Sequence, residues 1–184
     1  RSSAASDVYK RQLLNSGKLS RLVETGVITG MTSNPSIFEK AISGSSDYES
    51  DLQKILKSGE TDPYNSFLRL AVDDIRAACD VLHSVYKRTD AVDGYVSLEV
   101  PPGIEDDVQE TIDEATRLFD LVDRQNVMIK VPGTNAGVQS LTELTSRGIN
   151  VNVTLLFSVG MYEKVAHAYI CLLYTSPSPR DLST

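Results

Sequence analysis

The sequence predicts an α/β fold built on parallel strands. Three observations predict it. Runs at residues 95–100, 127–131 and 150–155 are short, rich in Val and Ile, and of strand length. The stretches between them carry apolar residues at helical spacing. Strand and helix then alternate along the chain, the order of βαβ units rather than of hairpins.

Taken in order, residues 13–24 form a short amphipathic helix followed by Gly26. Gly30-Met31-Thr32-Ser33-Asn34-Pro35 reads as a strand ended by Asn-Pro, a turn signal. Ser43-Gly44-Ser45-Ser46 is a loop, and 48–56 a second helix. Asp62-Pro63 opens a long helix with proline in its first turn, striped by Phe67, Leu68, Ala71, Val72, Ile75, Cys79, Leu82 and Tyr86. Residues 105–122 repeat the pattern through Val108, Ile112, Ala115, Phe119 and Val122. Thr134 caps a helix that runs through Arg147 and stops at Gly148, and Ser158 caps another through His167.

Side chains of a strand alternate between two faces. Parallel strands covered by helices normally read apolar on both. Here Val127, Ile129 and Val131 share one face, while Met128 and Lys130 share the other. Ser97 and Glu99 stand opposite Val96, Leu98 and Val100, and Asn150, Asn152 and Thr154 alternate with valines. Thr32 and Asn34 also share a parity. If the polar faces meet, Thr32, Asn34, Glu99, Lys130, Asn152 and Thr154 surround one point. Burial disfavours a lysine's ammonium form and makes a nucleophilic amine accessible, which is what attack on a carbonyl requires. A structural ion pair with a buried carboxylate would account for Lys130 and Glu99, but not for the amides and hydroxyls.

An α/β barrel carries its functional groups at the C-terminal ends of its strands, and Glu99, Lys130 and Thr154 sit late in theirs. A whole barrel needs roughly 250 residues. This chain has 184, with four clear strands and a fifth near the start. The expected architecture is a partial (β/α)8 TIM-type barrel, its first five or so strands, truncated before the C-terminal ones.

Three segments carry a family resemblance. Gly30-Met31-Thr32-Ser33-Asn34-Pro35-Ser36-Ile37-Phe38 resembles the first signature of transaldolases. Val127-Met128-Ile129-Lys130-Val131-Pro132-Gly133-Thr134-Asn135-Ala136-Gly137-Val138 resembles the second, which contains a Schiff-base lysine. Gly148-Ile149-Asn150-Val151-Asn152-Val153-Thr154-Leu155-Leu156-Phe157-Ser158 resembles the family's next strand. The resemblance spans about residues 13–169, and the helical insert after Ile42 is similar to that of the longer bacterial branch.

The resemblance implies transfer of a dihydroxyacetone unit from a ketose phosphate to an aldose phosphate, as in the pentose phosphate pathway. Lys130 would form the Schiff base. Glu99 would act as acid and base through a water that Thr154 positions. Asn34 and Asn152 would hold hydroxyls of the bound fragment, and Thr32 would line the site. An aspartate at the end of the first strand would take the proton from the C4 hydroxyl, and Asp7 stands near that place. No metal or other cofactor is implied, because the iminium does the polarising. The partners implied are phosphorylated sugars, with a homo-oligomer open to the full-length protein. The phosphate-binding serines and arginines of the family fall on later strands than this chain reaches. The chain alone is therefore expected to aggregate or fold marginally and to turn over little.

Both ends look foreign. Asp7-Val8-Tyr9-Lys10-Arg11-Gln12 and Cys171-Leu172-Leu173-Tyr174-Thr175 can be encoded by one short DNA in opposite orientations, which resembles a sequencing-library adapter. The expected organisation is a non-native tail at 1–12, a partial barrel at 13–170 and a second tail at 171–184. Asp7 would then be a coincidence of register.

Net charge is −7, and without the first twelve residues about −9, which argues against nucleic acid or an anionic membrane as partner. Two cysteines give no disulfide framework, and His83 and His167 lie far apart on helical patterns without metal-ligand spacing. No signal peptide or membrane span is visible, so the expected location is the cytoplasm. Two rival readings share the fold: a Schiff-base aldolase that releases free dihydroxyacetone, and a non-catalytic sugar-phosphate-binding protein.

Overall fold

A computed structural model describes residues 5–7 and 11–175, with side chains for 11–172. Five strands lie in chain order, β1-β2-β3-β4-β5. They are β1 (Ala5–Asp7), β2 (Gly30–Thr32), β3 (Val96–Glu99), β4 (Val127–Pro132) and β5 (Val151–Thr154). The helices are α1 (Arg11–Asn15), α2 (Lys18–Glu24), α3 (Pro35–Ser43), α4 (Glu49–Lys57), α5 (Pro63–Arg88), α6 (Val108–Val122), α7 (Asn135–Ser146) and α8 (Val159–Thr175). Helices separate consecutive strands, and the strand order is sequential. This is the connectivity of a partial (β/α)8 barrel, as the sequence predicts.

The chain divides into two compact units. The first runs to Leu98 and includes Leu121–Val127; the second holds Glu99–Asp120 and the chain from Met128 onward.

In the first unit, β1 pairs parallel with β2, Asp7 opposite Thr32, and β2 pairs parallel with β3, Thr32 opposite Ser97. The amide of Val96 donates to the carbonyl of Asn126 at 2.9 Å. The long helix α5 buries Leu68, Ala71, Val72, Ile75, Cys79 and Leu82 of the expected stripe and Val85 besides, while Phe67 and Tyr86 stay partly accessible. Asp62 caps it by accepting from Asn65 N, with Pro63 in the first turn, where a missing N–H costs nothing. Asn126 is almost fully buried and donates to the carbonyls of Cys79 and Gly94, tying α5 to the approach to β3.

Several elements differ from the sequence expectation: α6 begins at Val108 rather than at 105, and α8 runs to Thr175 rather than His167. The single helix expected at 13–24 is two, divided at Gly17, whose φ of 68° is a left-handed conformation open to glycine. The strand ends before Asn34-Pro35 as expected, and the same pair also starts a helix that the sequence reading did not place. Asn34 is extended, and its Oδ1 accepts from Ser36 N and Ile37 N, with Pro35 at the first helical position.

A buried polar network fastens the same unit. Asp74, on α5, accepts from the Tyr48 hydroxyl at 2.7 Å and from Arg11 Nε at 2.9 Å. Arg11 also pairs with Asp51 at 2.6 Å and lies 4.2 Å from the centre of the Tyr48 ring. Burial pushes the Asp74 carboxyl up from its ordinary 3.8, while the Tyr48 hydroxyl and the Arg11 guanidinium pull it back down.

In the second unit, β4 and β5 pair parallel, Ile129 opposite Val151 and Pro132 opposite Thr154. Val127, Ile129 and Val131 are fully buried, while Met128, Lys130 and Pro132 remain partly accessible, the alternation expected of this strand. Beyond β5, Leu155, Phe157, Val159 and Tyr162 are largely exposed. No helix among the described residues is long and apolar enough to cross a membrane.

Candidate active site

Glu99 is the last residue of β3, and Lys130 lies two residues before the end of β4. Their strands are joined where the amide of Val100 donates to the carbonyl of Lys130 at 3.3 Å. Both side chains project to one face at the C-terminal end of the strands. Lys130 Nζ donates to Glu99 Oε2 at 3.0 Å. The lysine side chain is 12% exposed and the glutamate 26%, so the pair is shielded but reachable. At this separation a proton can pass directly between amine and carboxylate.

Asn152 is the register partner of Lys130 on β5, and Thr154 that of Pro132. Partners in a parallel ladder project to the same face. Asn152 therefore stands beside Lys130, with Thr154 one step nearer the strand end. Both residues are partly accessible. The second unit thus gathers an amine, a carboxylate, an amide and a hydroxyl at the C-terminal ends of three strands.

The loop after β4 explains why this end is sharply defined. Gly133 N donates to Thr154 O at 2.7 Å, and a Cβ on Gly133 would meet that oxygen at 2.9 Å and Leu156 Cδ2 at 2.6 Å. Glycine is what lets the end of β5 approach. Thr134 then caps α7, its Oγ1 accepting from Gly137 N at 3.0 Å. A side chain on Gly137 would collide with the Pro132 carbonyl, so the first turn of α7 rests directly on the strand carrying Lys130. The run Lys130-Val131-Pro132-Gly133-Thr134-Asn135-Ala136-Gly137 thus sets a reactive side chain and the geometry behind it.

The remaining expected residues belong to the first unit. Thr32 ends β2 beside Ser97. Asn34 is exposed and uses its carbonyl oxygen to cap α3, leaving its amide hydrogens for other partners. Asp7 ends β1 opposite Thr32, and its side chain lies outside the described residues. The sequence pattern marks Thr134 only as a cap. The signal of anything more was its place four residues after Lys130, at the mouth of the same strand.

The family described as Transaldolase/Fructose-6-phosphate aldolase matches residues 6–179. The chain is 48% identical over 164 residues to Transaldolase 2 of Nostoc sp., covering 89% of this chain and 43% of that protein. It is 46% identical to Transaldolase of Trichodesmium erythraeum, over 89% of this chain and 43% of the relative. With Transaldolase of Thiobacillus denitrificans it shares 46% identity, over 89% of this chain and 45% of the relative. The chain thus spans less than half the length of these curated relatives.

Proposed function

The chain belongs to the Transaldolase/Fructose-6-phosphate aldolase family, and on that premise we propose that it carries the Schiff-base half of a transaldolase site. The observation that supports this most is the 3.0 Å contact of Lys130 Nζ with Glu99 Oε2, beside Asn152 and partly open to solvent. A ketose phosphate, fructose 6-phosphate or sedoheptulose 7-phosphate, presents its C2 carbonyl to Lys130.

A proton leaves Lys130 for Glu99, and the amine lone pair forms a C–N bond to C2, giving a carbinolamine. Glu99 returns its proton to the carbinolamine hydroxyl, water leaves, and an iminium remains. The C4 hydroxyl gives its proton to a base, and the C3–C4 bond breaks. Its electron pair moves into the iminium, giving an enamine on Lys130 and releasing an aldose phosphate. A second aldose phosphate accepts the enamine carbon, and hydrolysis frees Lys130.

Within this scheme Thr154 holds the water through which Glu99 hands its proton to the carbinolamine hydroxyl. Asn152 holds hydroxyls of the three-carbon fragment. General acid–base help of this kind is worth about 10²–10⁴-fold in rate. A lysine and carboxylate kept only for stability would need no reachable opening beside an amide and a hydroxyl.

The relatives named Transaldolase favour transfer over release of free dihydroxyacetone. Their length also places additional structure in the relatives, and we propose that this supplies the phosphate grip. The 184-residue chain should then form the Schiff base at high sugar concentration but turn over slowly.

The test is a two-stage incubation. Fructose 6-phosphate is added first, erythrose 4-phosphate second, and borohydride is used to arrest the reaction after each. An adduct discharged by erythrose 4-phosphate into sedoheptulose 7-phosphate supports the transferase. An adduct discharged only as free dihydroxyacetone favours the aldolase, and the absence of any adduct favours a binding protein.

A further inference from the structure

We infer that Thr134 is a positioning residue for the Lys130–Glu99 pair, a role that gains catalytic meaning from the Schiff-base reading. Its hydroxyl does two things at once. It accepts from Gly137 N at 3.0 Å, capping α7, and it donates to the carbonyl of Glu105 at 2.7 Å. Glu105 belongs to the loop after β3, six residues beyond Glu99. Thr134 belongs to the loop after β4, four residues beyond Lys130. One hydroxyl therefore joins the loops that follow the two strands carrying the reacting side chains.

Both loops are also held at other points, so the bond can transmit position. On the Glu99 side, Val100 and Ile104 are buried. The amide of Val100 donates to Lys130 O, and the carbonyl of Ile104 accepts from the Thr111 hydroxyl at 2.9 Å and from Asp107 N at 3.1 Å. On the Lys130 side, Thr134 N donates to Pro132 O at 2.9 Å, and Gly137 packs against that same carbonyl. Ser140, one turn further along α7, donates to Ala136 O at 3.0 Å and to Val108 O at 3.3 Å, so α7 is also tied to the start of α6. Capping alone would need only an acceptor. The donated bond to Glu105 is the part that a cap does not explain.

Without that bond the Glu99 loop is freer to draw away from Lys130. A small reagent should then find the lysine less firmly held, while a sugar that needs Glu99 in place should react more slowly. The two effects have opposite sign, and the comparison with a lysine remote from Thr134 separates them from a loosening of the whole fold.

The test measures two rates at Lys130 in the 184-residue chain by mass spectrometry. One is reductive methylation with formaldehyde, normalised to Lys57, which is exposed on α4; the other is borohydride trapping with fructose 6-phosphate. For Thr134→Val we expect methylation about threefold faster, the scale of one weakened ion pair, and sugar trapping slower. Thr134→Ser should restore both. Thr134→Asp keeps a cap acceptor but offers no donor to the Glu105 carbonyl and should behave like Thr134→Val, which covers failure of the valine variant to fold. Methylation unchanged in the folded variants, or a serine variant as altered as valine, overturns the proposal. A wild-type chain that traps no sugar sinks the Schiff-base reading, while the methylation rates still decide on Thr134.

Discussion

Lys130 and Asn152 face the same way across the β4–β5 ladder, as register partners on adjacent parallel strands. The relationship places a hydrogen-bonding amide next to the amine without using a loop to do so. Strand-borne groups hold their spacing better than loop-borne ones, because the ladder fixes them.

Replacing that amide should weaken the grip on sugar more than the chemistry. For Asn152→Ala, the fructose 6-phosphate concentration that half-saturates trapping should rise about tenfold, the scale of one or two lost hydrogen bonds. The limiting trapping rate should change far less. Trapping rate measured against sugar concentration separates the two effects.

Glu99→Gln keeps the shape and removes the proton acceptor. Adduct formation should slow by about 10²–10⁴-fold. Circular dichroism should show the fold retained, since Glu99 is partly exposed. A glutamine variant that traps sugar at the wild-type rate would leave the carboxylate with only a structural part.

The Asp74 network predicts a particular pH dependence of stability. Burial raises the Asp74 carboxyl above its unfolded 3.8. The folded chain therefore takes this proton more readily than the unfolded chain. The stability this group contributes is complete below 3.8 and lost as pH rises through the raised folded value. The Tyr48 hydroxyl favours the charged form, so Tyr48→Phe should push the carboxyl higher still. The deficit of Tyr48→Phe against wild type should be small in acid and widen as pH rises, reaching about 1–3 kcal/mol at neutrality. Urea midpoints taken across that range check the sign.

Gly137→Ala should be costly although the substitution is small and falls in a helix. Its Cβ has no room beside the Pro132 carbonyl. Overpacking of this kind costs typically about 1–3 kcal/mol. Because Pro132 lies two residues beyond Lys130, sugar trapping should slow as well. A variant with wild-type stability and wild-type trapping would contradict the buttress described for α7.

Much of the site was legible because parity is local. Residues two apart share a face, so Val127, Ile129 and Val131 against Lys130, and Val151 and Val153 against Asn152, could be sorted without a partner strand. The caps at Asp62 and Thr134 were legible for the same reason, since a cap acts within one turn. Asn34-Pro35 was ambiguous because the same pair can end a strand and begin a helix, and only the backbone conformation after Pro35 separates the two outcomes. The Arg11–Asp74 pair joins residues 63 apart, and nothing in a periodic pattern points across that distance. Arg11 also falls in the segment expected to be foreign, yet its guanidinium meets two carboxylates and a tyrosine ring. The bond from Thr134 to Glu105 depends on how two loops meet, so the sequence offered the cap and not the bridge.

The most direct measurement is peptide mapping after borohydride reduction of the chain with fructose 6-phosphate. The account predicts one sugar adduct, on the peptide carrying Lys130, and its loss in Lys130→Met. An adduct on another lysine, or one that persists in Lys130→Met, would contradict it.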